Sequence, residues 1–188
     1  MFGTIVNNRQ LIDLIGQNKV YIHPFKKELL KSLHYPLTAS KYLSSAGRKA
    51  GNPIFNVRAD FKADCDEVIF EPKEYLIAEI SQTIAVSEGI VGNFIPSSRL
   101  IDYGFSLTCG RIESPYGAAG EVVRFGIANQ LNCNNKLSKE TVLGYVQFFD
   151  FRALATEGVI MTDEDRLLFS RWKKLEKYVA DSGIHPMD

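Results

Sequence analysis

Phe55, Val57, Ala59 and Phe61 alternate with Asn56, Arg58 and Asp60, a period of two that fits a strand with one buried face. Short apolar runs recur on both sides of it. Val20 to Ile22, Val68 to Phe70 and Tyr75 to Ala78 are strand candidates, the last two divided by the turn signal Glu71-Pro72. Gln82 to Val86, Ile90 to Ile95, Tyr103 to Thr108, Glu121 to Ile127 and Val142 to Phe151 extend the series. Many short strands at regular spacing predict a mainly β sandwich or barrel. Ser44 to Pro53, small, polar and glycine-containing, reads as a loop. With 188 residues, the chain is expected to form a single domain over 1–188.

Helical spacing is confined to the ends. Leu11, Ile12, Leu14 and Ile15 follow the capping residues Asn7-Asn8, and Asn18 supplies a stop. A second, weakly marked helix is expected around Lys26 to Leu33. A C-terminal extension opens at Thr162 with Asp163, Glu164 and Asp165 in its first turn, where the helix dipole favours negative charge. Leu168, Trp172, Leu175 and Val179 then form one apolar stripe, predicting an amphipathic helix at about 162–182.

Charge narrows the partners. Lys plus Arg and Asp plus Glu each total 22, giving a formal net charge of zero. This balance supplies no general attraction to nucleic acid or an anionic membrane. No apolar run of about 20 residues is present to span a bilayer. Cys65, Cys109 and Cys133, together with three scattered histidines, lack the paired spacing of a zinc site. Unpaired thiols and no evident signal peptide point to the cytoplasm.

Several blocks, taken in order, resemble the dCTP deaminase/dUTPase superfamily, with dCTP deaminases the nearest. Val6-Asn7-Asn8-Arg9-Gln10-Leu11-Ile12 and Val20-Tyr21-Ile22-His23-Pro24-Phe25 resemble that family's opening helix and G-x-I-x-I-x-P-F strand. His34-Tyr35-Pro36 falls on its S-Y-D motif and keeps the aromatic. Pro96-Ser97-Ser98-Arg99-Leu100 resembles the phosphate-binding R-S-S-L-x-R, and Thr108-Cys109-Gly110-Arg111-Ile112-Glu113 resembles T-A-x-x-I-D-P-G. Leu143-Gly144-Tyr145-Val146-Gln147-Phe148 resembles the late G-Q-L-x-F strand.

The resemblance implies a dUTPase-like distorted β-barrel over about residues 5–151, assembled as a homotrimer with sites between subunits. It implies a pyrimidine deoxynucleotide ligand, held by Ser97, Ser98, Arg99, Cys109, Arg111, Glu113 and Tyr116, with Mg2+ accompanying the triphosphate and no zinc. A guanidinium such as that of Arg99 can bind phosphate oxygens bidentately. The family's G-x-x-x-L-E-x-x-N corresponds to Gly120 through Asn129, where Phe125 or Gly126 stands in place of the catalytic glutamate. Glu121 is the candidate catalytic carboxylate, four residues before Phe125 and roughly 13 Å from it along a strand. Three functions stay open: hydrolytic deamination of dCTP to dUTP, a dUTPase, or an inactive nucleotide-binding or regulatory protein.

Overall fold

The computed structural model describes residues 4–60, 66–114 and 122–152. The expected C-terminal helix, Cys65, Tyr116 and Glu121 lie outside the described residues.

The chain begins with β1 (Thr4–Ile5), α1 (Asn8–Gly16) and β2 (Val20–His23). Asn7 caps α1, accepting from the Gln10 backbone N–H while the Gln10 side chain accepts from the Asn7 N–H. This reciprocal box satisfies donors that a helix start otherwise leaves open. Asn18, just past the helix, takes a left-handed φ of 55°. The second helix expected at Lys26 to Leu33 is reduced to one 3₁₀ turn, Lys27–Leu29.

Strands dominate thereafter: β3 (Tyr35–Leu37), β4 (Ala39–Lys49), β5 (Asn52–Asp60), β6 (Glu67–Phe70), β7 (Tyr75–Ile80), β8 (Thr83–Val86) and β9 (Ile90–Pro96). After the short helix α2 (Ser98–Asp102) come β10 (Phe105–Thr108), β11 (Arg111–Glu113), β12 (Arg124–Asn129), β13 (Asn135–Ser138) and β14 (Gly144–Asp150). One five-stranded sheet runs β1-β14-β9-β11, with β3 also paired to β14; a second runs β10-β12-β7-β4-β5. Two ribbons, β13-β6 and β2-β8, complete the arrangement. The mainly β fold with its N-terminal helix is as expected. Among the described residues, the strands form separate sheets and close no barrel.

The loop expected at 44–53 is instead most of a long hairpin, β4–β5. Its small residues pair with one another, and Gly47, Ala50 and Gly51 take positive φ at the tip. Gly47 and Gly51 there have open space around them, so their role is conformational.

The two large sheets share one core. Phe94 of β9 packs edge-on against Phe125 of β12 with ring centroids 5.0 Å apart. Tyr42, Phe70 and Phe105 continue the aromatic contacts at 5.4 and 5.0 Å. Aromatic pairs in this geometry gain attraction beyond their buried area. Gly92 lets β9 approach its neighbours: an added Cβ would lie 2.7 Å from Ile112 Cγ2 and 3.1 Å from Val146 Cγ2.

Substituting Gly92→Ala is therefore expected to destabilise the fold by about 1–3 kcal/mol through overpacking. Urea unfolding would show it as a lower midpoint with unchanged slope. An unchanged midpoint would mean that this part of the core yields freely.

Candidate functional site

Opposite residues of an antiparallel pair share a face. In the first sheet this places Arg111, Asn93 and Gln147 in one outward row, and Glu113, Val91 and Phe149 in the next. Arg111 Nη2 donates to Glu113 Oε1 at 3.1 Å. The Arg111 side chain is largely open to solvent and that of Glu113 partly so; the pair contributes little to stability and leaves the guanidinium available to an anion. Tyr145 lies on the same face, with the His34 ring edge-on at 4.4 Å. Burial and the charge of Lys31 lower the His34 pKa, so the ring is neutral at pH 7.

The second sheet turns its outward face away from the first, because their inner faces meet at Phe94 and Phe125. Thr108, Gly126 and Ile77 form one outward row there, and Arg124, Glu79 and Lys41 another. At the two positions where the resembled family carries its glutamate, this chain has no carboxylate. Phe125 is buried in the core. Gly126 faces outward, and the Tyr75 hydroxyl lies across it, in the space a Cβ would take. A cross-strand aromatic covering a glycine stabilises a sheet. Here it also occupies the space from which an acidic side chain would reach.

A carboxylate that this face does carry is Glu79, which sequence reasoning missed. Its side chain is 5% exposed, and Lys41 Nζ and Arg124 Nη2 approach it at 2.8 and 2.7 Å. Arg124 Nε adds a third contact at 3.0 Å. Burial alone would raise the Glu79 pKa, but these hydrogen bonds and positive charges bring it below the ordinary value. A carboxylate held ionised by two cations is a poor general base. The available signal was a lone glutamate between Ala78 and Ile80 in an apolar strand, since a buried charge requires partners.

The other expected ligand residues are spread over the fold. Ser97 is buried just ahead of α2, its N–H donating to Leu143 O at 3.0 Å. Ser98 and Arg99 are exposed on that helix. Cys109 Sγ donates to Phe94 O at 3.4 Å, and burial pushes its thiol pKa up, keeping it protonated. Tyr35 is a core residue stacked on Phe25 at 5.2 Å, with its hydroxyl accepting from the Lys26 N–H. Asn129 is also structural: its amide donates to Glu71 O and Cys133 O, both at 2.9 Å. Arg111 and Glu113 thus meet on one outer face, while Gly126 and Thr108 lie on the other. Among the described residues, no group of three or more His, Cys, Asp or Glu side chains could hold a metal. No described helix is long and apolar enough to cross a membrane.

The fold is shared with 2′-deoxycytidine 5′-triphosphate deaminase from Agrobacterium tumefaciens: TM-score 0.60, 10% sequence identity, 95% of this chain covered. The alignment covers 54% of that deaminase chain, so this chain spans about half its length. A dUTPase from phage phi11 of S. aureus aligns over 77% of this chain and 98% of its own, at 10% identity and TM-score 0.47. The EIAV dUTPase aligns over 65% and 96% at 12% identity and TM-score 0.41. No protein-family model matches the sequence, and no curated protein does.

Replacing Glu79 by Gln is expected to cost about 1–3 kcal/mol at pH 7, reduced from a fully buried pair because both cations are partly exposed. Because the folded-state pKa is lowered, this stability is present above the unfolded value of about 4.3 and is lost as pH falls through the folded value. Denaturation from pH 7 to pH 3 should show wild type and variant converging at the acid end. A constant gap would contradict the assignment.

Proposed function

We propose that the chain binds a pyrimidine deoxynucleoside triphosphate, with accompanying Mg2+, and does not deaminate it. The observation that carries the second half is at β12, where Phe125 is committed to the core and Tyr75 covers Gly126. Deamination adds water to C4 of cytosine and expels ammonia. Without a positioned carboxylate to handle the protons, a factor of roughly 10²–10⁴ is lost. Glu79 is not a replacement, because Lys41 and Arg124 hold it ionised.

Support for ligand binding is the shared fold together with Arg111, an exposed guanidinium beside the polar side chains of Asn93 and Gln147 on one sheet face. Ser98 and Arg99 would serve the phosphates, with Glu113 beside the sugar, Tyr116 near the nucleoside, and the backbone around Cys109 reading the base. Cys109 would contribute through main-chain atoms, and Ser97, whose N–H and C=O are already paired, would act by setting the start of α2 that carries Ser98 and Arg99. The outer faces carrying Arg111 and Gly126 point away from each other within one chain. A homotrimer would bring such faces from neighbouring subunits together, and this is the assembly proposed. A reducing cytoplasm suits the free thiols of Cys109 and Cys133. Glu121 remains the route by which a carboxylate would enter the site if the protein is a deaminase.

Incubation with Mg2+ and either dCTP or dUTP, followed by chromatography and a thermal melt, separates these functions. The proposal expects unchanged nucleotide and a raised melting temperature, about 2.7 kcal/mol of added stability at ligand 100-fold above Kd. Conversion of dCTP to dUTP would overturn it in favour of the deaminase. Release of dUMP and pyrophosphate from dUTP would assign a dUTPase. Neither product nor shift would remove the nucleotide altogether.

A further inference from the structure

The β4–β5 hairpin has a root and an arm. At the root, Ala39 to Leu43 pair with β7. Beyond Leu43, among the described residues, Ser44 to Lys49 and Asn52 to Asn56 pair only with each other. A two-stranded ribbon with nothing beneath it is marginally stable in water. This one also has register irregularities at Tyr42/Leu43 and between Ser45 and Arg48. Bulges of this kind bend a ribbon and increase its local twist. Residues 46–54 are exposed throughout.

The arm nevertheless has a contact outside its own two strands, at its base, where Phe55 pairs with Ser45. In the sheet order β12-β7-β4-β5, Phe55 of β5 is three strands from Arg124 of β12. The Phe55 ring lies 5.3 Å from the Arg124 guanidinium carbon. That reach requires the arm to bend back across the outer face. Arg124 is itself held by Glu79, which Lys41 at the root also contacts. On the far side, Arg58 meets Glu74 and Glu71 at 3.5 and 3.6 Å, an exposed and weak anchor.

We propose that Phe55, Arg124 and Glu79 form a latch that holds the β4–β5 arm down over the outer face of the second sheet, and that the arm opens as a unit about the irregularity at Tyr42/Leu43. Glu79 fixes the guanidinium, and the guanidinium lies over the face of the Phe55 ring. The device is conformational: it controls access to the side of the sheet carrying Arg124 and, one residue pair further along β12, Gly126. It does not depend on the nucleotide reading.

Hydrogen exchange of the full chain, followed by mass spectrometry, tests it in wild type, Phe55→Ala, Arg124→Gln and the double variant. Phe55→Ala leaves the Glu79 ion pairs intact, so it remains informative if Arg124→Gln fails to fold. Expected is exchange roughly tenfold faster over 44–56 in each single variant, no further gain in the double, and unchanged protection over 90–96 and 144–150. Three results would overturn the latch: unaltered exchange over 44–56 in Phe55→Ala, acceleration spread evenly over the chain, or a wild-type arm already exchanging like an unfolded segment. Loss of nucleotide binding with these rates as expected would count against the ligand alone.

Discussion

Phe94 against Phe125 is the contact on which most of the architecture depends. It joins β9 to β12, and so joins the two large sheets into one core. It also decides the chemistry of β12. A strand shows alternate residues to alternate faces, so with Phe125 turned inward its neighbour Gly126 must face outward. Once Gly126 is there, the Tyr75 ring can lie across it. Packing and loss of an acidic side chain are then two consequences of one register.

The electrostatics follow the same geometry. Glu79 sits buried on the outer face of β7, and two cations offset that burial. A buried pair of this kind is poor support for net stability, because desolvation cancels much of the attraction. Its value is in specificity: it fixes Arg124, and Arg124 fixes where the arm lies. Arg111 and Glu113, by contrast, remain open to solvent on the opposite face, where an incoming anion meets no such network.

Much of the fold was legible in the sequence because its rules are local. Asn7 with Gln10 marks a helix start, Asn18 marks its end, and apolar runs mark β7, β8, β9 and β14. The period-two run from Phe55 marked part of β5, but the rest of the arm was not legible: the small residues and glycines of 44–53 carry no such signal, since a ribbon packed on little needs no apolar face. β13 was missed for a related reason, as Leu137 alone on it is deeply buried. At the site, Arg111 and Glu113 were named only as parts of one motif; the short strand β11 that sets them on one face carries too few apolar residues to be read in advance. Tyr75 over Gly126, and Asn93 beside Arg111, depend on strand register between distant segments, which no short motif reveals. The inward turn of Ser97 likewise depends on the start of α2, a helix of one turn.

A proton NMR time course of dCTP and Mg2+ with the protein addresses binding and chemistry in one sample. Binding without deamination predicts that the cytosine ring resonances broaden on addition of protein and remain cytosine throughout. Replacement of those resonances by uracil signals, or lines that stay as sharp as in free nucleotide, would contradict the account.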